Sequence, residues 1–401
     1  MPLRRSVRQA PPPKLELRGR LERQSLRALG ATGGPNRRVG LGPKVRLDGQ
    51  TLDAPVQAML GLRSRLRYPA WHEQPVDDAR RTMRHEALVA AGRPIAVASA
   101  DDLEVDGATG PLPARLYRPG GARNPALTWQ PRTDRLPLLL FFHGGGFVLG
   151  DRDSHDAVCR MLCSAAGILV LSVEYRLAPE HPWPAAPDDA AAAWWWTVDH
   201  ADELGADLER LAIGGDSAGG NLTAITAQVA AAGRGREDDP RPAAQLLLYP
   251  AVDWTREYAS RDLFGHGFYL EDASMDWCER HYLGPAGAVD LADPRISPIT
   301  GELRGLAPAL VVTAGFDPLR DQGEAYAAAL RQAGTPAVCR RMPDLIHGFA
   351  NTPGVGRRSR EAMLEVSSLL RGMLEIEPAV RARGESASAA GTAPEGVGAA
   401  V

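Results

Sequence analysis

The chain has 401 residues, 44% of them hydrophobic, enough to bury a large core, and we expect one domain of roughly 250–300 residues with additional segments. The net charge of −3 does not indicate a basic nucleic-acid-binding surface over the whole chain. No apolar run is long enough to predict a transmembrane helix, and the N-terminus lacks the apolar centre of a secretory signal, so a cytoplasmic protein is expected.

The N-terminal third mixes basic, helical and strand-like patterns. Residues 1–45, rich in arginine and proline, predict a disordered basic leader. Apolar residues recur at helical spacing from 52 to 91 and predict one or two helices. Two runs with strand character follow, at 94–105 and 112–117.

The middle of the chain alternates short apolar runs with helical patterns. The predicted strands are 136–142, 168–173, 211–213, 245–249, 309–314 and 337–342, and the predicted helices are 154–166, 188–204, 221–232, 322–334 and 359–374. This alternation predicts an α/β protein with a mostly parallel central sheet and helices on both faces.

Two segments do not follow this alternation. Residues 254–298, with many aromatic and charged side chains, are interpreted as an insertion over the sheet. Residues 377–401, rich in alanine, glycine and serine, predict a disordered tail. The predicted folded domain is therefore 46–376.

One serine stands at the junction of a predicted strand and a predicted helix. Ser217 has a glycine two residues before it, Gly215, and another two residues after it, Gly219. This G-x-S-x-G pattern is typical of a nucleophile elbow, whose tight turn requires small neighbours. Taken alone, it also fits an ordinary glycine-rich strand-to-helix turn.

Other predicted strand ends carry groups that complement a serine nucleophile. In parallel sheets, ligands gather at the carboxyl ends of strands. Asp317 and His347 follow two later strands, and the order Ser, Asp, His is that of α/β-hydrolases. His347 would accept the proton of Ser217, and Asp317 would orient the imidazole.

The run that follows the strand 136–142 offers backbone donors for an anion. His143 is followed by three glycines, Gly144, Gly145 and Gly146, whose N–H groups no side chain obstructs. Two of these N–H groups, with that of Ala218, would stabilise a tetrahedral oxyanion.

Each of these features also has an ordinary structural explanation. His347 could be a loop histidine, Asp317 could cap a helix, and the glycine run could hold a phosphate. The phosphate explanation is weakened because G-x-x-x-x-G-K-[ST] does not occur. The four cysteines show no metal-ligand spacing. All features together, in this order, favour nucleophilic catalysis.

The combined motifs resemble the hormone-sensitive-lipase family of esterases from about residue 90 to 375. The matching stretches are 143–147, 150–151, 175–182, 215–221, 317–321 and 347–349. The resemblance implies an α/β-hydrolase fold with a helical cap built from about 52–91 and 254–298.

The resemblance also assigns roles to individual residues. It implies that Gly145 and Gly146 supply oxyanion donors together with Ala218, and the sequence leaves Gly144 open as a third glycine donor. His143 would brace the glycine loop, and Asp216 would stabilise the surroundings of the elbow. The mechanism requires no cofactor or metal.

We therefore expect a carboxylic ester hydrolase acting on short- to medium-chain acyl esters through an acyl-serine intermediate. The alternative is an amide hydrolase (a deacetylase, formamidase or peptidase) with the same triad, and a non-catalytic small-molecule binder of the same fold is a third reading. The expected partner is a small-molecule ester, with no nucleic acid. The family resemblance suggests a homodimer paired along an edge strand.

Overall fold

The computed structural model describes residues 8–10, 13–31, 43–120, 135–236 and 238–390, with side chains left out of the description at 8–9, 27–31 and 376–390. The strands are β1 (Arg8–Gln9), β2 (Arg46–Leu47), β3 (Gln50–Thr51), β4 (Ser99–Asp106), β5 (Pro111–Arg118), β6 (Leu136–Phe142), β7 (Leu169–Val173), β8 (Ala206–Asp216), β9 (Ala244–Leu248), β10 (Ala309–Phe316) and β11 (Ala337–Ile346).

The α-helices alternate with these strands over most of the chain. They are α1 (Leu17–Ala31), α2 (Ala54–Arg65), α3 (Val76–Ala90), α4 (Asp156–Ala166), α5 (Ala185–Asp199), α6 (Ala201–Leu204), α7 (Ala218–Ala232), α8 (Ala259–Phe264), α9 (Asp272–Leu283), α10 (Arg320–Gln332) and α11 (Arg358–Ala390). Short 3-10 turns occur at Trp71–Glu73, Pro298–Thr300 and Phe349–Asn351.

The described strands form a nine-stranded sheet in the order β1-β4-β5-β7-β6-β8-β9-β10-β11, with β2 and β3 as a separate ribbon. Pairing is antiparallel from β1 to β7 and parallel from β7 to β11. The prediction of a mostly parallel α/β sheet is confirmed.

The central strands are buried because helices cover both faces of the sheet. Leu139 and Phe141 of β6 face one cluster, which includes residues of α4 and α11. Leu138, Leu140 and Phe142 face the opposite cluster, which includes residues of α5 and α7. The uninterrupted apolar run in β6 is thus explained by alternate side chains entering two separate cores.

The N-terminal segment differs from the disordered leader expected for 1–45. In the described part of it, β1 pairs with β4, and α1 packs beside α2 and α3. Leu15 and Leu26 are buried, and Glu22 on the same side of α1 accepts a hydrogen bond from the Tyr68 hydroxyl at 2.6 Å. The arginines predict a solvated segment, but the buried Leu26 and the hydrogen-bonded Glu22 attach α1 to the fold, while Leu17 and Leu21 are exposed. Residues 1–7, 11–12 and 32–42 lie outside the described residues.

The C-terminal segment also differs from its expectation. The last helix, α11, continues to Ala390, whereas the sequence predicts a disordered tail from 377. Residues 391–401 lie outside the described residues.

Candidate active site

Ser217 sits on a strained turn between β8 and α7. Its backbone has φ +56° and ψ −117°, a conformation that L-residues seldom adopt. A Cβ on Gly215 would lie 2.4 Å from the carbonyl oxygen of Gly219, and one on Gly219 would lie 1.9 Å from that of Phe142. The turn therefore closes only with glycine at both positions, as the elbow pattern predicts.

The structure brings the three predicted catalytic side chains into hydrogen-bonding contact. Nε2 of His347 lies 3.0 Å from Oγ of Ser217, and Nδ1 lies 2.9 Å from Oδ2 of Asp317. The other carboxylate oxygen of Asp317 accepts a hydrogen bond from the Leu319 N–H at 2.8 Å. Because Asp317 can only accept at Nδ1, the imidazole carries its proton there, and Nε2 is free to accept the serine proton.

Asp317 and His347 are shielded from solvent by the protein. Asp317 has 0% of its surface exposed and His347 has 5%. The ring of Tyr249 lies 4.7 Å from the imidazole ring, centroid to centroid, and limits its movement. A buried, pre-aligned base needs little reorganisation when charge develops on it.

The glycine loop after β6 borders the same cavity as Ser217. Gly145 and Gly146 have φ values of +119° and +61°, and both line the cavity that contains Ser217 and Ala218. The N–H groups of Gly145, Gly146 and Ala218 make no hydrogen bond with any described residue.

Gly144 differs from its two neighbours, and the structure corrects the inclusion of its N–H among the candidate donors. That N–H donates to Oδ1 of Asp216 at 2.9 Å, and Gly144 does not line the cavity. Its donor is therefore already used in holding the loop.

His143 braces the loop, as the family resemblance implies. Its Nδ1 donates to the Gly144 carbonyl at 2.9 Å, and its ring stacks on Tyr175 at 4.4 Å. The Tyr175 hydroxyl in turn donates to the His143 carbonyl at 2.7 Å. Burial, together with the nearby charge of His155, lowers the pKa of His143, so the ring is neutral.

Ser217 opens into a cavity of about 340 Å³ between the sheet and the helices above it. Helices α1, α2 and α3 contribute a largely apolar wall, which consists of Leu26, Met59, Leu62, Leu66, Met83, Val89 and Ala90. The segment between β9 and β10 contributes a mixed wall with aromatic, charged and sulfur-containing side chains, among them Trp254, Tyr258, Arg261, Met275 and Cys278. The two segments predicted as a cap therefore line the cavity, and α1 lines it with them.

An ion pair between α2 and α3 lies in this largely apolar wall, which Glu22 of α1 also lines. Nε of Arg63 on α2 is 2.7 Å from Oε1 of Glu86 on α3. Burial raises the pKa of Glu86, an effect that the charge of Arg63 opposes. In the part of the chain that the structure describes, no three histidine, cysteine or carboxylate side chains converge to hold a metal ion.

This geometry can be compared with known proteins. A family model for the alpha/beta hydrolase fold matches residues 139–351. Carboxylic ester hydrolase LipN of Mycobacterium tuberculosis (strain ATCC 25618 / H37Rv) is 46% identical over 347 residues, which cover 85% of this chain and 88% of LipN. The ethyl acetate hydrolase of Pseudomonas putida is 38% identical over 305 residues, 75% of this chain and 91% of that enzyme.

The chain belongs to the α/β-hydrolase family of hormone-sensitive-lipase-like esterases.

Solved structures agree with this assignment. An ester hydrolase from the metagenome of Lake Arreo, complexed with a bipyridine phosphonate derivative, matches the esterase with a TM-score of 0.72 at 38% identity. The match covers 80% of this chain and 98% of that one. An esterase from Pyrobaculum calidifontis matches with a TM-score of 0.70 at 38% identity, over 79% of this chain and 97% of that one. The enzyme is a serine hydrolase that acts on ester bonds.

Within the described ranges no helix has the length and apolarity needed to cross a bilayer.

His155, at the start of α4, is a buried residue of the site that the sequence interpretation missed. It lies beneath the glycine loop, and its Nε2 is 3.4 Å from Oδ1 of Asp216. A histidine at a helix start carries no spacing signal, so only the fold could reveal its position.

Proposed function

We propose that the esterase hydrolyses carboxylic esters through the triad Ser217, His347 and Asp317, with an acyl-serine intermediate. The observation that carries this proposal is the continuous hydrogen-bonded path from Oγ of Ser217 through the imidazole to Asp317, with distances of 3.0 Å and 2.9 Å. Such a path lets the hydroxyl lose its proton to the imidazole as it attacks.

In the acylation step, Oγ of Ser217 attacks the ester carbonyl carbon while Nε2 of His347 takes the hydroxyl proton. The carbonyl oxygen becomes an oxyanion that accepts hydrogen bonds from the N–H groups of Gly145, Gly146 and Ala218. When the tetrahedral intermediate collapses, the imidazolium returns the proton to the leaving alcohol. Removing one such donor typically raises the barrier by about 3–4 kcal/mol.

In the deacylation step, a water molecule repeats this sequence. Nε2 of His347 removes a proton from the water as it attacks the acyl-serine, the same donors hold the second oxyanion, and the proton returns to Oγ of Ser217. Asp317 stays ionised and stabilises the imidazolium in both steps.

We propose further that residues 46–376, together with β1 and α1, form the hydrolase domain. In this proposal 52–91 and 254–298 form, with α1, a cap that selects the substrate. The apolar wall of the cavity supports a preference for short- to medium-chain acyl groups. Each methylene that the wall buries contributes about 0.8 kcal/mol, or about fourfold in kcat/KM. The name of the Pseudomonas putida relative, ethyl acetate hydrolase, supports the short end of this range.

The test is hydrolysis of a p-nitrophenyl ester series from acetate to laurate, run beside p-nitroacetanilide as the amide. We expect kcat/KM to rise with chain length until the cavity is filled, and ester turnover to exceed amide turnover. Ser217→Ala should abolish turnover and labelling by a fluorophosphonate. Ser368→Ala is the matched control, because this serine is exposed on α11 and bonds only to the Leu364 carbonyl.

The proposal is wrong if folded wild-type enzyme neither turns over these esters nor reacts with the fluorophosphonate. Faster hydrolysis of the anilide than of the acetate ester would instead favour the amide-hydrolase alternative.

A further inference from the structure

Asp216 connects the nucleophile turn with the glycine loop. It is the last residue of β8 and directly precedes Ser217, and only 2% of its surface is exposed. Its Oδ1 accepts the N–H of Gly144 at 2.9 Å, and the next two residues of that loop carry two of the proposed oxyanion donors. The Asp216 carboxylate therefore contacts the glycine loop and belongs to the residue next to the nucleophile.

The approach of Asp216 to the loop depends on glycine at position 144. A Cβ on Gly144 would lie 2.7 Å from Oδ2 of Asp216 and 2.9 Å from its carbonyl oxygen. On the other side, Oδ2 lies 3.4 Å from the Tyr249 hydroxyl and 3.4 Å from Nδ2 of Asn351. The carboxylate is held from both sides, so it can fix the position of the loop.

His155 pairs with this carboxylate. Its Nε2 lies 3.4 Å from Oδ1 of Asp216, and its Nδ1 lies 3.0 Å from Oγ of Ser154 and 3.3 Å from the Asp151 carbonyl. The Ser154 hydroxyl is within 2.9 Å of the same Asp151 carbonyl, to which it can donate, so Nδ1 of His155 can also face an acceptor. Nε2 of His155 lies 3.3 Å from the backbone nitrogen of Gly144, so the Gly144 N–H is shared between His155 and Asp216. Although burial alone would lower its pKa, the charge of Asp216 raises it.

Both pKa shifts favour the charged forms of the two side chains, although the pair is buried. Burial would raise the pKa of Asp216, but the positive charge of His155 lowers it below the ordinary value. Buried ion pairs cost desolvation free energy and are seldom the most stable solution for a core. Such a pair next to the reacting groups therefore suggests a role in function rather than in stability alone.

We propose that Asp216 and His155 are positioning residues that set the distance between Oγ of Ser217 and the N–H groups of Gly145 and Gly146. This inference rests on the proposed function. The carboxylate fixes the loop through Gly144, and His155 keeps the carboxylate in place. Neither side chain touches the substrate, and both act through the backbone of the oxyanion donors.

The test compares hydrolysis of a p-nitrophenyl ester with that of its thiono analogue, in which C=S replaces C=O. Sulfur is larger than oxygen and a weaker hydrogen-bond acceptor, so donors placed for oxygen favour the oxo ester in the transition state. A displaced loop should lower the oxo-to-thiono ratio of kcat, whereas partial unfolding would lower both rates equally.

We expect Asp216→Ala to lower kcat for the oxo ester about 100-fold with little change in KM, and to lower the oxo-to-thiono ratio at least about tenfold. Asp216→Asn retains an acceptor for the Gly144 N–H and should recover much of the ratio. His155→Gln removes the cation and should give an intermediate loss. His155→Gln decides the question if Asp216→Ala does not fold.

Asp189→Asn is the matched control. Asp189 is fully buried, accepts the backbone N–H of Ala108 at 3.1 Å and pairs with Arg176 at 2.8 Å, but it does not line the cavity. It should lower the midpoint of thermal unfolding and leave the oxo-to-thiono ratio at the wild-type value. An unchanged ratio in folded Asp216→Ala, or in His155→Gln if Asp216→Ala does not fold, would overturn the inference. Inactive wild-type enzyme would instead overturn the proposed function.

Discussion

Replacing Asp317 by asparagine should move the proton of the His347 imidazole from Nδ1 to Nε2. The Leu319 N–H donates to one carboxylate oxygen of Asp317 at 2.8 Å, so the carbonyl of an asparagine must face Leu319. Its NH₂ group would then point at Nδ1 of His347, now 2.9 Å from the other carboxylate oxygen. A donor at that position forces the proton onto Nε2, which faces Ser217 and must be free to accept.

The expected loss follows from this wrong tautomer. The corresponding change in serine proteases lowers kcat about 10⁴-fold, or about 5 kcal/mol of barrier, with the geometry intact. For this esterase we expect a similar loss in kcat on p-nitrophenyl acetate near neutral pH, with KM nearly unchanged. Circular dichroism and thermal unfolding should show a folded enzyme, because asparagine occupies nearly the same volume as aspartate.

The buried Asp189→Asn variant serves as a control here too, since it removes a buried carboxylate charge away from the triad. A folded Asp317→Asn enzyme that retains kcat within about tenfold of wild type would refute this role of Asp317. In that case Asp317 would not set the tautomer of His347, and another group would have to orient the base.

Two further predictions concern backbone strain and a buried carboxyl group. Gly146→Ala should lower kcat about 10²-fold, because φ at this position is +61° and the new Cβ would lie 2.5 Å from Sγ of Cys278. Gly110→Ala is the control, because a Cβ at Gly110 would meet no atom within 4 Å, and it should leave kcat unchanged. Burial, and then the charge of Asp344, raises the pKa of Asp53 to about 6. The pKa of Asp53 is higher in the folded protein than in the unfolded chain, so protonation of this carboxyl group stabilises the fold. This stabilisation is fully present below about pH 4 and is lost as the pH rises through about 6. Asp53→Asn should therefore raise the midpoint of thermal unfolding at pH 7.5 more than at pH 4, and equal shifts at both pH values would contradict this.

Much of the fold was predictable because its determinants are local. The apolar run that forms β6 indicates a strand buried on both faces, and the glycines around Ser217 indicate a tight turn at a strand end. The carboxyl ends of parallel strands meet at one edge of the sheet, so the order of Ser217, Asp317 and His347 was enough to expect them together.

The sequence could not distinguish the three glycines of the loop. Gly144 differs from Gly145 and Gly146 only because the Asp216 carboxylate, from a strand about seventy residues later, approaches its N–H. The partner of that carboxylate, His155, comes from a third place in the chain. Contacts of this kind depend on tertiary structure, which no local pattern encodes.

The same limit explains the N-terminal segment. Its arginines indicate solvation, and the pairing of Glu22 with Tyr68 and His85 exists only because α1 packs against α2 and α3. Intrinsic helix propensity contributes less to the stability of such a helix than these tertiary contacts do.

The presence of Glu22 and Leu26 in the cavity wall has an evolutionary consequence. The proposed catalytic groups lie at the ends of sheet strands, while much of the surrounding wall comes from the first ninety residues. Lineages can therefore exchange or remodel these early helices and acquire new ester preferences while they inherit the reaction unchanged. Truncation or fusion before Ala31 would then alter which esters are accepted, so the start of the chain is a natural region for directed evolution of selectivity.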